Sequence, residues 1–570
     1  MITATGAQII TGILERRGVK TVYGIPGGMI LPLYDELARS KIRHILVRQE
    51  QAGGFMAQGE ARITGKAGVC LATSGPGAMN LLTAIADARS DSIPLVAITG
   101  QVNRSAIGTD AFQETDTFGL SMPICKHSVM VKSAEELLEV LPKAFEIAES
   151  GRPGPVLIDV PRDVQNEVCT FSDWPKMEEC KPFPMPQNMN ELAEQSVELF
   201  ANSNKTVIFC GGGAVYSKGA PQLIEKLSKD FALPVCTSLM GLSVGNASNP
   251  LFCGMVGMHG SYTANRVMYE STLILAVGVR FDDRATGLVA KFCPNAKIIH
   301  IDIDAAEINK IYQSSVAIAA DAADALKVLC SAFAGEKCKA AGENNRKYWP
   351  GAIEEFKKPM KGVYTSDPVH PNQFMPRIEE LFVKANGGDL PYVATDVGQH
   401  QMFTAQCFPI KFPRQLLTSG SLGTMGFGLP AANGAAFTCP NKRVICFSGD
   451  GSIMMNVQEL ATLAELDLNV TVIVFDNQCL GMVRQQQEML FNQNYSASIY
   501  DKNPDLVKIA QGFNIKSYDL TDFSQFDSIM TEALSGKGPR FVRIPVAQNF
   551  NVLPFVPGGK ANIDAIGLAN

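Results

Sequence analysis

Two polar residues that end apolar runs offer the most specific chemistry in this chain. Between positions 447 and 477 an apolar run enters Gly449-Asp450-Gly451, a helix-like stretch follows, and a second apolar run ends at Asp476-Asn477. At the C-terminal ends of parallel strands, where open α/β sheets bind ligands, Asp450 and Asn477 would form one clamp. A carboxylate, an amide oxygen and a backbone carbonyl near Cys479 suit Mg²⁺, which takes few protein ligands and completes its octahedron with water and phosphate oxygens. The glycines let backbone approach a diphosphate, and a helix starting near Ser452 would offer it unpaired N–H groups. A GDG triplet alone marks only a tight turn. Joined to Asp-Asn at the end of the next strand, it becomes a metal-diphosphate signal.

Other candidates are less specific on their residues alone. Gly211, Gly212 and Gly213 follow an apolar run over 206–210 and read equally as a nucleotide-binding turn or an ordinary strand–helix connection. Glu50 follows an apolar run and opens a small-residue helix, where a helix N-terminal charge is the simplest reading. Met425, in a glycine-rich turn, reads as a gap-filler. Phe112 and Gln113 read as loop surface or packing, Lys126 as a solvated side chain, and Arg152 as a strand cap or the partner of a surface acid.

The elements that must position these residues alternate nearly throughout: short apolar strands, each stopped by Gly, Pro or a polar residue, then helical patterns. That alternation predicts an α/β fold of doubly wound parallel sheets. Strands are expected over 68–73, 95–99 and 156–160, then 206–210, 273–278 and 298–304, then from 392. A stretch with four prolines over 173–188 and a polar one over 357–371 read as linkers. The expected domains are 1–170, 190–350 and 370–550, with a tail over 551–570. The first and third are expected to share architecture, although no repeat is visible.

Composition bounds the partners. At 570 residues with 46% hydrophobic content, the chain is too long for one core. A net charge of −6 with no basic tract argues against nucleic acid. No apolar run reaches the roughly 18 residues of a membrane span, and no leader pattern opens the chain, so a cytoplasmic location is expected. Fourteen scattered cysteines with no CxxC pair, beside six histidines, indicate neither a disulfide framework nor zinc.

The strings GIPGGMILPLYDEL, LATSGPGAMNLLTAIADA, GTDAFQE, GMHG, RFDDR, TDVGQHQM, GTMGFGLPAA and LGMVRQ together resemble the catalytic large subunits of the acetohydroxyacid (acetolactate) synthase family, within the thiamine diphosphate (ThDP) enzymes. RFDDR points to the FAD-containing anabolic type. The resemblance implies three domains of the pyruvate oxidase and decarboxylase type. It implies decarboxylation of pyruvate and transfer of the hydroxyethyl group to a second 2-keto acid, in branched-chain amino-acid biosynthesis.

Residue roles follow from the same resemblance. Glu50 would bind N1′ of the cofactor's aminopyrimidine, and Met425 would prop its two rings together. Val397, Gly398, Gln399, His400, Gly423, Gly449, Gly451, Ser452, Gly481 and Met482 would contact ThDP, with Asp450, Asn477 and Cys479 at Mg²⁺. Phe112, Gln113 and Lys126 would line the second-substrate pocket. FAD, structural because the reaction is redox-neutral, would be held by Arg152, Gly211, Gly212, Gly213, His259, Gly278, Arg280, Asp282, Arg284, Asp302 and Asp321. Sites built from two subunits are implied, hence a homodimer or tetramer, and with them a possible small regulatory subunit. Three positions depart from the family pattern: Gln49 stands for the usual His, Met79 for the commoner Thr, and Gln486 for a Trp that selects 2-ketobutyrate over pyruvate.

Overall fold

Apolar strands buried on both faces belong to parallel sheets covered by helices on either side. Residues 95–101, 155–161, 444–449 and 470–476 are buried throughout. The computed structural model describes residues 1–177, 180–245, 247–358 and 367–568. Within it are three six-stranded parallel sheets.

A short antiparallel pair, β1 (Ile2–Thr5) with β8 (Val168–Phe171), joins the two ends of the first domain. Its sheet holds β2 (Thr21–Gly24), β3 (Arg43–Leu46), β4 (Gly68–Ala72), β5 (Leu95–Gln101), β6 (His127–Met130) and β7 (Pro155–Pro161), in the order β3-β2-β4-β5-β7-β6. The second sheet holds β9 (Thr206–Cys210), β10 (Val235–Thr237), β11 (Phe252–Met255), β12 (Leu273–Val277), β13 (Lys297–Asp302) and β14 (Val316–Ala319), ordered β11-β10-β9-β12-β13-β14. The third holds β15 (Tyr392–Thr395), β16 (Leu416–Leu417), β17 (Val444–Gly449), β18 (Val470–Asp476), β19 (Lys516–Asp519) and β20 (Arg540–Pro545), ordered β16-β15-β17-β18-β20-β19.

Numbered from its own first strand, each outer sheet runs 2-1-3-4-6-5, so the first and third share a topology that their sequences conceal. The middle sheet runs 3-2-1-4-5-6, the doubly wound order of dinucleotide-binding folds. Strand order reverses between β9 and β12 and again between β15 and β17, and a crevice opens at each reversal.

Alternation along the middle strands fills two apolar layers, one holding Ile208 and Val277, the other Phe209 and Ala276. The outer domains meet through the helices Glu50–Thr64 and Gly428–Thr438. A Cβ on Gly59 would lie 2.3 Å from Ala431 O, and one on Gly434 2.1 Å from Met56 O. Only glycine permits that approach, and Phe55 closes edge-on against Phe427 beside it.

The residues described within 173–188 form no helix or strand before 189; residues 178 and 179 of that expected linker lie outside the described residues. Of the second expected linker, 359–366 lie outside them as well. Among the described residues no helix is long and apolar enough to cross a membrane.

Candidate active site

Strands β15, β17 and β18 end side by side, so the turns that follow them converge. Asp396, which had no role in the sequence reading, ties them together. Its buried carboxylate accepts from the backbone N–H of Val397 (2.9 Å) and Gly426 (2.8 Å) and from Ser448 Oγ (3.2 Å). Burial pushes this carboxyl up to about 6.

Asp450 opens the short helix Asp450–Ile453, and Gly451 N donates to its Oδ1 at 3.0 Å. Burial, then the neighbouring Asp476 carboxylate, push its carboxyl up to about 7. Asn503 Nδ2 donates to both, at 3.0 Å to Asp450 Oδ2 and 3.1 Å to Asp476 Oδ1. Asn477 gives its amide nitrogen to Gln399 Oε1 (3.1 Å), and its oxygen accepts from Cys479 N (3.3 Å). The Cys479 thiol is pushed up to about 12 by burial, so its backbone carbonyl, not its sulfur, suits a hard cation. Among the described residues no three His, Cys, Asp or Glu side chains gather into a metal cage. A buried carboxylate raised by a second one, with an amide oxygen and a carbonyl nearby, fits Mg²⁺ shared with a ligand's phosphates.

These turns form one end of a cavity of about 600 Å³ that continues to the β9/β12 crevice. Val397, Gly398, Gln399, His400, Gly423 and Met425 line this end, with Gly449, Asp450, Gly451, Ser452, Asn477, Cys479, Gly481, Met482 and Gln486. At the other lie Gly211, Gly212, Gly213, His259, Gly278, Arg280, Asp282, Arg284 and Asp302, with Arg152 reaching in from the first domain. His400 Nε2 and His259 Nδ1 are buried without a protein partner. Burial lowers the two imidazoles to about 3 and about 4, so both stay neutral and can hydrogen-bond a bound molecule.

The crevice between β9 and β12 is built on close backbone contact: a Cβ on Gly211 would lie 2.1 Å from Gly278 O. On Gly212, by contrast, a Cβ would meet only Met240 Cβ, at 3.3 Å. The turn therefore presents bare backbone to the cavity, as a dinucleotide requires. Arg152 lines the cavity and pairs with Glu307 (2.7 Å) and Asp304 (3.1 Å). Arg280 donates to Ser90 O (3.0 Å) and to Ser421 Oγ. Asp321 lies away from the cavity lining. Its Oδ1 caps the helix Ala322–Phe333 and accepts from Ser217 Oγ at 2.8 Å.

Glu50, Phe112, Gln113 and Lys126 do not line this cavity. Glu50 is the first residue of its helix, and its Oε2 accepts from Asn80 Nδ2 at 2.9 Å. Gln49 is the N-cap, its side chain accepting from Ala52 N at 3.3 Å, which gives that departure a structural role. Phe112 is 82% exposed, and Gln113 takes φ of +60°. Lys126 is half-buried, and desolvation lowers its ammonium to about 8. It donates to the carbonyls of Ser150 (2.6 Å) and Ile147 at the end of the helix Leu137–Glu149. The Lys126 ammonium thus sits at a helix end, where the dipole favours a cation.

Residues 4–120, 193–329 and 396–544 match the N-terminal TPP binding, central and C-terminal TPP binding domains of thiamine pyrophosphate enzymes. The acetolactate synthase isozyme 1 large subunit of Escherichia coli (strain K12) is 45% identical over 566 residues, covering 99% of this chain and 98% of its own length. Isozyme 2 of the same organism is 42% identical, covering 98% and 99%. The chain belongs to the acetolactate synthase large-subunit family. A further relative, the probable acetolactate synthase large subunit of Methanocaldococcus jannaschii, is 42% identical over 97% of this chain and 94% of its own.

In this acetolactate synthase framework, the two ThDP-binding domains are the outer ones with the shared topology. The third contributes the converging turns, and the first carries Glu50. Sequence reasoning missed Asp396 and Asn503. Asp396 was visible as the polar end of a strand, whereas Asn503 sits in an irregular stretch with no pattern to single it out.

Proposed function

We propose that this chain decarboxylates pyruvate and joins the remaining two-carbon unit to a second 2-keto acid, giving 2-acetolactate from pyruvate and 2-aceto-2-hydroxybutyrate from 2-ketobutyrate. The reaction belongs to branched-chain amino-acid biosynthesis, and a cytoplasmic location is proposed with it. The observation that carries the reading is the single cavity running from the Asp450–Asn477 clamp past Met425 to a dinucleotide crevice.

ThDP, when bound, supplies a C2 nucleophile for a keto carbonyl and an electron sink for decarboxylation. Asp450, Asn477 and the carbonyl of Cys479 would hold Mg²⁺ and with it the diphosphate, with Gln399 and His400 beside them. Met425 would prop the pyrimidine against the thiazolium ring, and Glu50 would hold the proton at N1′. The apolar rim of Leu480, Met482 and Val483 excludes water from the reacting carbon. FAD fits the second half of the cavity on the bare Gly211–Gly213 turn, and no electron transfer is required of it.

Glu50, Phe112 and Gln113 stand apart from the cavity, so a second copy must bring them to it. Exposed Leu31, Leu46, Met79 and Phe112 on the first domain, and Leu422, Met454 and Met455 on the third, are the surfaces that such a pairing would bury. A homodimer is then the smallest competent unit. A small regulatory subunit is the further partner suggested by relatives named as large subunits.

Purified protein given pyruvate, ThDP, Mg²⁺ and FAD should release CO₂ and form acetolactate in equal amounts without oxygen uptake. Stoichiometric oxygen consumption would instead indicate an oxidase.

Gln486, on the helix Gly481–Leu490, lines the cavity with an amide where an aromatic wall would grip an extra methyl. With pyruvate and 2-ketobutyrate in competition, the products should show weak preference for 2-ketobutyrate. Gln486→Trp should raise that preference about fivefold, the equivalent of about 1 kcal/mol of apolar contact. A strong 2-ketobutyrate preference in the unmodified chain would contradict this role.

A further inference from the structure

The loop 419–426 presents Met425 to the cavity yet has little packing of its own: residues 421–423 are exposed, and Gly423 and Gly426 have φ of +69° and +91°. Downstream, the loop is held within its own domain by Asp396 and by Asn456, whose Nδ2 donates to Gly426 O at 2.8 Å. Upstream, Gln401 Nε2 donates to Ser419 O (3.0 Å) and Arg280 to Ser421 Oγ, and the restraints on the backbone N–H groups come from the first domain. Asp91, at the end of the helix Pro76–Asp91, accepts from Gly420 N (2.9 Å) and Ser421 N (2.8 Å). One turn earlier, Asp87 Oδ1 accepts from Thr424 Oγ1 (3.0 Å) and from Ser419 Oγ, and Ser419 Oγ in turn accepts from Thr424 N (2.8 Å).

Buried Arg62 donates to Asp91 at 2.9 Å and lies 3.6 Å from Asp87. One guanidinium against two buried carboxylates is a costly arrangement, and an apolar contact would join the domains at least as well. Gly59 and Gly434 already make such a contact nearby. What carboxylates add is direction: two oxygens aimed at two successive N–H groups fix where the loop backbone lies. Asn80, on the same helix, donates to Glu50.

We propose that Asp87 and Asp91 are positioning residues for the reaction, holding the 419–424 backbone so that Met425 stands at the height needed to fold ThDP. This rests on the ThDP reading of the cavity given above. Asp91→Asn keeps the shape but turns an amide donor toward an N–H. Amide hydrogen exchange over 419–424, measured without cofactor, should quicken about tenfold on loss of one such hydrogen bond. With ThDP and Mg²⁺ saturating, kcat should fall on the order of 10²-fold at unchanged KM for pyruvate, the scale of a misplaced contact. The circular-dichroism band that arises when the aminopyrimidine and thiazolium rings are held together should weaken in parallel.

Unchanged exchange, or faster exchange with wild-type kcat and band, would overturn the proposal. If Asp91→Asn does not fold, Thr424→Val removes one hydroxyl from Asp87 and is read by the same three measurements. Absence of the band and of acetolactate in the unmodified chain would instead defeat the ThDP reading, and the exchange comparison would still decide whether the carboxylates hold the loop.

Discussion

Glu50→Gln should lower acetolactate formation on the order of 10³-fold, the scale of losing a positioned proton-transfer group, while the protein still folds and binds ThDP. The substitution is nearly isosteric and sits at the first position of the helix Glu50–Thr64, whose N-cap is supplied by Gln49. The helix start therefore survives. Asn80 Nδ2, the present donor to Glu50 Oε2, can donate to an amide oxygen as well. What the amide cannot do is hold and release a proton at N1′ of the cofactor. Steady-state rates beside thermal melting separate the two effects: a fall in rate with an unchanged melt is expected, and a wild-type rate would remove Glu50 from the mechanism.

Asp450→Asn should act at a different step. The Asp450 carboxyl is raised to about 7 by burial and by Asp476, so two influences disfavour its charged form in the metal-free chain. Removing its charge should leave the metal-free protein at least as stable as before. The capacity to hold Mg²⁺ and the diphosphate should be lost, with ThDP affinity falling by about 10²-fold or more, beyond what loss of an outer partner such as Asn503 would cause. Titrating ThDP at fixed Mg²⁺ and following the melt gives both quantities. A lowered melt with unchanged ThDP affinity would make Asp450 a structural residue.

The strands were legible because buried parallel strands carry an unmistakable apolar signature: the runs at 206–210 and 273–278 emerge as β9 and β12 within one residue. Gly449-Asp450-Gly451 and Asn477 were legible because ligand turns follow strand ends in open sheets. The first and third domains were expected to share architecture, but their common strand order was not itself legible, since topology resides in crossovers that leave no mark on local residue types. Lys126 makes contacts that motif matching does not show. Its neighbours fit the family, but only the fold reveals that two carbonyls at the end of the helix Leu137–Glu149 already hold its ammonium. Asp321 is similar, a carboxylate after a strand that the following helix claims as its cap. Asp87 and Asp91 act on residues more than 300 positions away, a separation that no local pattern encodes.

That two copies jointly build each site is most directly tested by co-expressing Glu50→Gln and Asp450→Asn chains under different tags and isolating the mixed assemblies. Each mixed dimer would contain one site with both defects and one with neither, so acetolactate formation should return to about half the unmodified rate. Mixed assemblies as inactive as either parent would show that Glu50 and Asp450 serve the same chain's site, and the two-copy arrangement would fail.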